Sequence, residues 1–481
     1  PVPIHSGTRR PEPVQLRRTM DGSGTHHVVA VPYPGRGHIN PMMNLCELLL
    51  ARLGGRLLVT FVVTEEWLGL LGPAPAPRHP GIRFRTVPNV IPSELNRGAD
   101  FVGFLEAVYT LMEAPFEDLL QRLQQEEEEG RAPPVEGIIA DIYLPWAVAV
   151  GNRRNIPVYS LYTMSATFFS LLHHFHLIPS GSSEKREESL DFISGITSLK
   201  MADIHSVFSH EKPRKLALYA ISCVNKAQCL LFTSFYELEP RVLDSLKASL
   251  PIPVYAVGPS IPYMALQGKP TMPVSNGLDD VGYHSWLDSQ PRCSVLYVSL
   301  GSFLFVSSEQ MDEIARGLCA SGASFLWVAR RGGPRMQELG GDRGLVVPWC
   351  DQLKVLCHPS VGGFLTHCGW NSTLEAVFAG VPTLTFPISG DQPPDSRLMV
   401  DEWKMALSLK GEAVEGGGVI GREEIAKRVK RLMDLGGDEG KELRRRAGEL
   451  KEACSRATQV GGSSTVDLDA FISQVLRGNK C

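Results

Sequence analysis

The sequence predicts an α/β protein of two doubly wound, Rossmann-like domains facing each other across a cleft, and three observations carry that reading. Short, continuous apolar runs alternate with helical patterns along residues 27–260 and again along 294–476, as parallel strands joined by helical crossovers do. Between the two series, residues 261–282 are rich in Pro and Gly and have neither a helical nor a strand period, which reads as a connection between domains. The chain has 481 residues, long enough for two domains that each bury a core.

The elements follow in order. Residues 1–25 carry Arg9, Arg10, Arg17 and Arg18 without an apolar stretch; they do not read as a secretory signal and are expected to be disordered, with Met20 reading as a natural start. The first domain, 26–260, opens on an apolar strand at 27–32. A glycine turn follows, Pro34-Gly35-Arg36-Gly37-His38, then a helix from Pro41 to about residue 53, with proline at a favoured first helical position. Further strands are expected at 56–63, 137–140, 158–161, 229–233 and 254–259, with a long helix at 101–124 and a solvated acidic end at 126–129. After a linker at 261–285, the second domain, 286–462, has strands at 294–300, 325–329, 344–347, 361–366 and 383–386, then charged helices at 422–435 and 438–457. A last amphipathic helix in 463–481 is expected to pack back on the first domain.

Composition excludes several function classes. The net charge is −4 with both signs interspersed, which calls for neither nucleic acid nor an anionic membrane surface as partner. Ten cysteines are scattered with no C-x-x-C pair, which fits reduced thiols in a cytoplasmic protein. No run of about 18 apolar residues is present, so no membrane span is expected.

Chemistry is concentrated in residues 349–392, WCDQLKVLCHPSVGGFLTHCGWNSTLEAVFAGVPTLTFPISGDQ. A strand runs into the turn His367-Cys368-Gly369, a short helix follows, and Gly380 and Pro382 stop it before another strand. His367, Asn371 and Ser372 put a ring N–H, an amide and a hydroxyl beside helix N–H groups, a set suited to a diphosphate. Glu375 lies one turn on, where its carboxylate can accept from a vicinal diol such as ribose. Trp349 offers a flat face to a base. Asp391 and Gln392 end the second strand, at the carboxyl edge where open parallel sheets bind ligands. The pairs Cys357-His358 and His367-Cys368 lack the spacing of a zinc site, and no metal is expected.

This 44-residue block closely resembles the signature box of plant UDP-dependent glycosyltransferases of family 1: Trp349, Gln352, the HCGWNS core, Glu375, the GVP turn and the closing Asp391-Gln392 all match. The resemblance runs from about His26 to the end of the chain and implies the GT-B fold. It implies that Trp349 stacks on uracil, Gln352 contacts the base, His367, Asn371 and Ser372 hold the diphosphate, Glu375 holds the ribose, and Trp370, Asp391 and Gln392 face the sugar. Cys350 stands where a small Ala is common, a change of little consequence if that position acts through its backbone.

A sugar transfer to a hydroxyl needs a base with a pKa near working pH, and histidine is the natural candidate. His38 ends the first glycine turn, where Asn40 replaces the third glycine of a dinucleotide fingerprint. Asp141 ends the strand at 137–140 and can orient the imidazole; both residues match the family's His–Asp dyad. The expected reaction is a single inverting displacement, giving a β-glycoside, with the charge on departing UDP held by His367, Ser372 and Ser302. No cofactor is expected beyond the UDP-sugar co-substrate, with glucose the expected sugar. The acceptor is expected to be a small hydrophobic metabolite (phenolic, flavonoid, terpenoid or hormone-like), and the enzyme a monomer. Tyr162, Thr163, Phe168 and Phe169 either line the acceptor pocket or belong to the core, and His173, His174 and His176 read as a helix surface or pocket rim. The competing readings are transfer to carbon, a UDP-sugar epimerase or hydrolase, and a non-catalytic nucleotide-sugar-binding protein.

Overall fold

Two parallel sheets organise the computed structural model, which describes residues 25–72, 80–178, 187–208, 210–266, 282–301, 306–329, 332–410 and 418–477. The first sheet contains β1 (His26–Val31), β2 (Leu57–Thr64), β3 (Ile82–Val87), β4 (Gly137–Asp141), β5 (Val158–Tyr162), β6 (Cys229–Phe232) and β7 (Val254–Ala256), in the order β3-β2-β1-β4-β5-β6-β7. The second contains β8 (Val295–Ser299), β9 (Ser324–Val328), β10 (Gly344–Val347), β11 (Val361–Thr366), β12 (Thr383–Thr385) and β13 (Ala406–Ser408), in the order β10-β9-β8-β11-β12-β13. Central strands such as β4, β5, β8 and β11 are buried along their whole length, which is why they appear in the sequence as unbroken apolar runs.

Each sheet reverses its strand order once, between β1 and β4 in the first and between β8 and β11 in the second. Ligands of open α/β sheets bind outside the carboxyl ends of the strands at such a switch point. Parallel pairing of Val31 with Ala140, and of Ser299 with Thr366, brings the ends of each pair level. The loops after these four strands therefore meet in two clusters.

Three local expectations are corrected. The first long helix spans Arg36–Leu53, so Pro41 lies inside it, not at its start. Gly35 is extended (φ −161°) and acts as the N-cap, so the glycine turn is itself the beginning of the helix. The helix expected over 101–124 is two helices, Phe101–Leu111 and Glu113–Glu128. Pro115 occupies the first turn of the second, where a missing N–H is tolerated. Glu126 is not simply solvated: it is paired with Arg83 Nη1 at 2.9 Å and Arg85 Nη2 at 3.1 Å, both on β3.

The closing helix, Ser463–Arg477, buries Leu468, Phe471, Ile472 and Val475 among residues of β1, β2 and β5 in the first sheet. Phe471 meets Tyr159 edge-on at 5.2 Å between centroids, and Asp467 accepts from the Ala256 N–H at 2.7 Å. Residues 1–24 and the end of the chain beyond 477, for which expectations were stated above, lie outside the described residues. Because Phe471 is fully buried, Phe471→Ala is expected to cost about 3–5 kcal/mol of stability. A lowered urea midpoint at unchanged slope, read by circular dichroism, is the expected result.

Candidate functional site

His38 stands in the first turn of the Arg36–Leu53 helix, directly after β1, and Asp141 closes β4. Their side chains meet at the first switch point: His38 Nδ1 lies 2.7 Å from Asp141 Oδ2. Asp141 is buried, and its second oxygen accepts from the Tyr143 N–H at 3.0 Å, so the carboxyl group is fixed at both ends. An N–H on Nδ1 directed at that carboxylate leaves Nε2 with a free lone pair, the state required of a base. The hydroxyl of Thr163, one residue past β5, lies 2.9 Å from the same Nδ1. Sequence reasoning leaves Thr163 between pocket wall and core and misses this contact; its place at the end of the strand next to β4 is the available signal. Tyr33 and Tyr143 flank the imidazole, at 4.9 and 6.0 Å between centroids.

The second switch point holds the diphosphate-type handles. β11 runs into Cys368, a non-glycine residue at φ +66°, a strained conformation of the kind found at functional turns. Gly369 then caps the Trp370–Ala379 helix without a side-chain hydrogen bond. Of the first N–H groups of that helix, that of Trp370 lies against the Asp391 carboxyl, while those of Asn371 and Ser372 have no acceptor within the helix, an arrangement suited to an anion. The His367 ring is held between two glycines: a Cβ on Gly301 (φ +82°) would lie 2.7 Å from its Nε2, and one on Gly369 would lie 2.6 Å away. Burial lowers the His367 pKa to about 4. The ring is neutral at physiological pH and offers a dipole, not a charge. Ser302 lies outside the described residues.

Around the nucleoside-type handles, the side chains are tied to one another. Gln352 donates from Nε2 to Ser372 Oγ at 2.9 Å and to Glu375 Oε2 at 2.5 Å, and its Oε1 accepts from the Tyr297 hydroxyl at 3.1 Å. The Gln352 amide as it stands thus supports Ser372 and Glu375, and does not reach out to a base. Burial raises the Glu375 pKa to about 7, with the Gln352 bond opposing. Trp349 is half-buried, in the segment between β10 and the Gln352–Leu356 helix. Cys350 is buried with Sγ 3.4 Å from the Tyr297 hydroxyl, and its thiol is pushed up to about 12 by burial.

The Trp370 side chain is buried in the core against Trp403, at 6.3 Å between centroids. Its backbone N–H lies against the Asp391 carboxyl. Burial raises the Asp391 pKa to about 6, and nearby His38 opposes the shift. Gln392 is buried, and its Oε1 accepts from the Ile388 and Ser389 N–H groups at 2.8 and 3.3 Å. Only its Nε2 donor remains for a ligand.

The two halves touch at the site. Asn371 Nδ2 donates to the Gly37 carbonyl at 3.0 Å, Ser165 Oγ to Asp395 Oδ1 at 2.7 Å, and Arg397 Nε to Asp203 Oδ2 at 3.1 Å. Of the aromatic residues in doubt, Tyr162, Phe168 and Phe169 are core. His173 stacks on Phe169 at 5.9 Å. Among the described residues, no group of three or more His, Cys, Asp or Glu is arranged to hold a metal ion, and no helix is long and apolar enough to cross a membrane.

Comparison with known proteins shows the family. Residues 269–415 match the family described as UDP-glucoronosyl and UDP-glucosyl transferase. The chain is 48% identical to UDP-glycosyltransferase 87A2 of Arabidopsis thaliana, over 94% of this chain and 97% of that one. It is 46% identical to UDP-glycosyltransferase 87A1 of the same plant, over 93% and 100%. Among solved structures it is similar to Medicago truncatula UGT71G1 complexed with UDP-glucose, with 27% identity, a TM-score of 0.76 and coverage of 94% and 98%. Phytolacca americana UGT2, complexed with UDP-2fluoro-glucose and pterostilbene, is similar at 28% identity and a TM-score of 0.76, with coverage of 94% and 99%.

Proposed function

The chain belongs to the plant UDP-dependent glycosyltransferases of family 1, enzymes of the GT-B fold that transfer a sugar from a UDP-sugar, and from that premise we propose that it moves glucose onto a hydroxyl of a small hydrophobic metabolite with inversion. The observation that carries the reading is the pairing of an oriented His38–Asp141 dyad on one sheet with an uncapped helix N-terminus on the other, close enough for Asn371 to touch Gly37.

In this reading Trp349 stacks on the uracil and Glu375 accepts from the ribose hydroxyls. His367, Asn371, Ser372 and the N–H groups of their helix hold the diphosphate, with Ser302 assigned to the same group. Asp391, the Gln392 amide and the Trp370 backbone hold the sugar. His38 Nε2 removes the acceptor proton as the acceptor oxygen bonds to the anomeric carbon and the bond to UDP breaks; the electron pair leaves with UDP. The N–H dipoles, preorganised at the helix start, stabilise the charge that develops there. One displacement from an α-linked donor gives a β-glycoside. Two glucose-bearing complexes among similar structures support the choice of sugar, as does the free donor on Gln392.

We read residues 26–260 as the acceptor-binding domain, 261–285 as the linker, 286–462 as the donor domain and 463–481 as the closing segment. The protein is read as a cytoplasmic monomer of secondary metabolism; the nine described cysteines, all free, accord with a reducing compartment. The deciding experiment incubates the protein with a library of phenols, flavonoids, terpenoid alcohols and hormone-like acceptors. UDP-glucose, UDP-galactose and UDP-glucuronate compete as donors, and products are read by mass shift. A hexose adduct from UDP-glucose on a hydroxyl is expected; preference for another donor, or free sugar as sole product, would overturn the proposal.

A further inference from the structure

Pro41 is the sixth residue of the Arg36–Leu53 helix, deep enough for its N–H, had it one, to bond to the carbonyl of Gly37 four residues back. Proline lacks that hydrogen, and its ring crowds the same carbonyl, tilting it away from the helix ladder. The Gly37 carbonyl is instead taken by Asn371 Nδ2 at 3.0 Å, from the opposite side of the cleft. Gly37 is exposed, and a Cβ there would lie 3.9 Å from that nitrogen, so the close approach is between the Asn371 side chain and bare backbone. Gly37 immediately precedes His38, and Asn371 is in the first turn of the helix whose N–H groups face the cleft.

We propose that Pro41 and Asn371 act together as a positioning contact: proline frees the Gly37 carbonyl so that Asn371, on the donor side, holds the backbone that carries His38. The inference rests on the reading of His38 as the acceptor-side base. The amide orientation follows from the partner, since a carbonyl accepts only from Nδ2, and one amide hydrogen remains for a phosphate oxygen. Asn371 is then not solely a diphosphate ligand. It sets the distance between the base and the anomeric carbon, where a small misplacement lowers turnover more than binding.

The test uses Pro41→Ala, Asn371→Ala and the double variant. Pro41→Ala returns an N–H to the Gly37 carbonyl and favours the helix, so it is expected to fold, which the thermal midpoint checks. It touches no nucleotide-facing side chain. Its kcat is expected to fall roughly three- to tenfold, the worth of a neutral hydrogen bond, while the Kd for UDP measured calorimetrically and the donor KM stay at wild-type values. Asn371→Ala is expected to lose at least as much in kcat, and the double variant no more than Asn371→Ala alone, because both remove one contact. Wild-type kcat in folded Pro41→Ala, or losses that multiply in the double variant, would overturn the inference. Failure of the broader reading looks different: wild-type protein would then neither bind UDP nor turn over any acceptor.

Discussion

Replacing His38 by alanine is expected to reduce kcat/KM on an aliphatic alcohol roughly 10²–10⁴-fold, the usual contribution of a general base, and to leave UDP affinity close to wild type. The separation follows from the architecture. His38 is held by Asp141 and Thr163 on the first sheet, whereas the proposed nucleotide handles stand on the second. Asp141→Ala should behave as a weaker version of the same lesion, because it frees the imidazole to rotate and to move its proton to Nε2. The loss should be smaller on an acidic phenol, which ionises with little assistance, than on an alcohol. Initial rates on a phenol and alcohol pair, with calorimetric UDP titrations of the same preparations, separate the effects. Wild-type turnover of the alcohol by His38→Ala would remove the dyad from the mechanism.

The placement of this dyad shows how far the sequence alone could be read. Asp141 ends an apolar run and His38 follows the glycine turn after another; in a parallel sheet such ends lie on one edge, and the family's His–Asp dyad supplies the pairing of these two. The second switch point was legible for the same reason, since β11 and its helix announce themselves by an apolar run, a polar turn and a Gly-Val-Pro stop. Side-chain direction was not legible. Trp370 and Gln352 are the right residue types for contacts with a ligand, yet core packing against Trp403 takes one and the Tyr297 hydroxyl helps to take the other. Such choices depend on which long-range neighbour arrives, and local pattern carries no information about that. Pro41 was misplaced for a related reason. Proline suits the first turn of a helix, but this helix starts five residues before Pro41, at a point set by the extended Gly35. The break between Leu111 and Glu113 was similarly hidden, because the apolar period continues across it.

Glu375→Ala is expected to raise the Kd for UDP by roughly tenfold or more, since it removes an acceptor whose hydrogen bonds, being to a charged group, are worth about 1.5–3 kcal/mol each before water compensates. UDP and the intact UDP-sugar should weaken alike, because ribose is common to both, and acceptor KM should change less. The raised pKa of Glu375, about 7 in the ligand-free chain, adds a pH signature. Two ribose hydroxyls donating to one carboxyl group require the ionised form, so binding should pull this pKa down and release a proton. The sign follows: affinity is greatest above pH 7 and declines as the pH falls through 7, with roughly a tenfold loss between pH 8 and pH 6 if only the ionised form binds. UDP has an ionisation of its own in this range, and Glu375→Gln separates the two, since it keeps the shape and removes the side-chain proton. Titrations in buffers of different ionisation enthalpy should show proton release near pH 7 from wild type and a smaller release from Glu375→Gln. Equal release from both proteins would mean that Glu375 does not meet the ribose as a carboxylate, and unchanged UDP affinity in folded Glu375→Ala would remove it from the nucleotide site altogether.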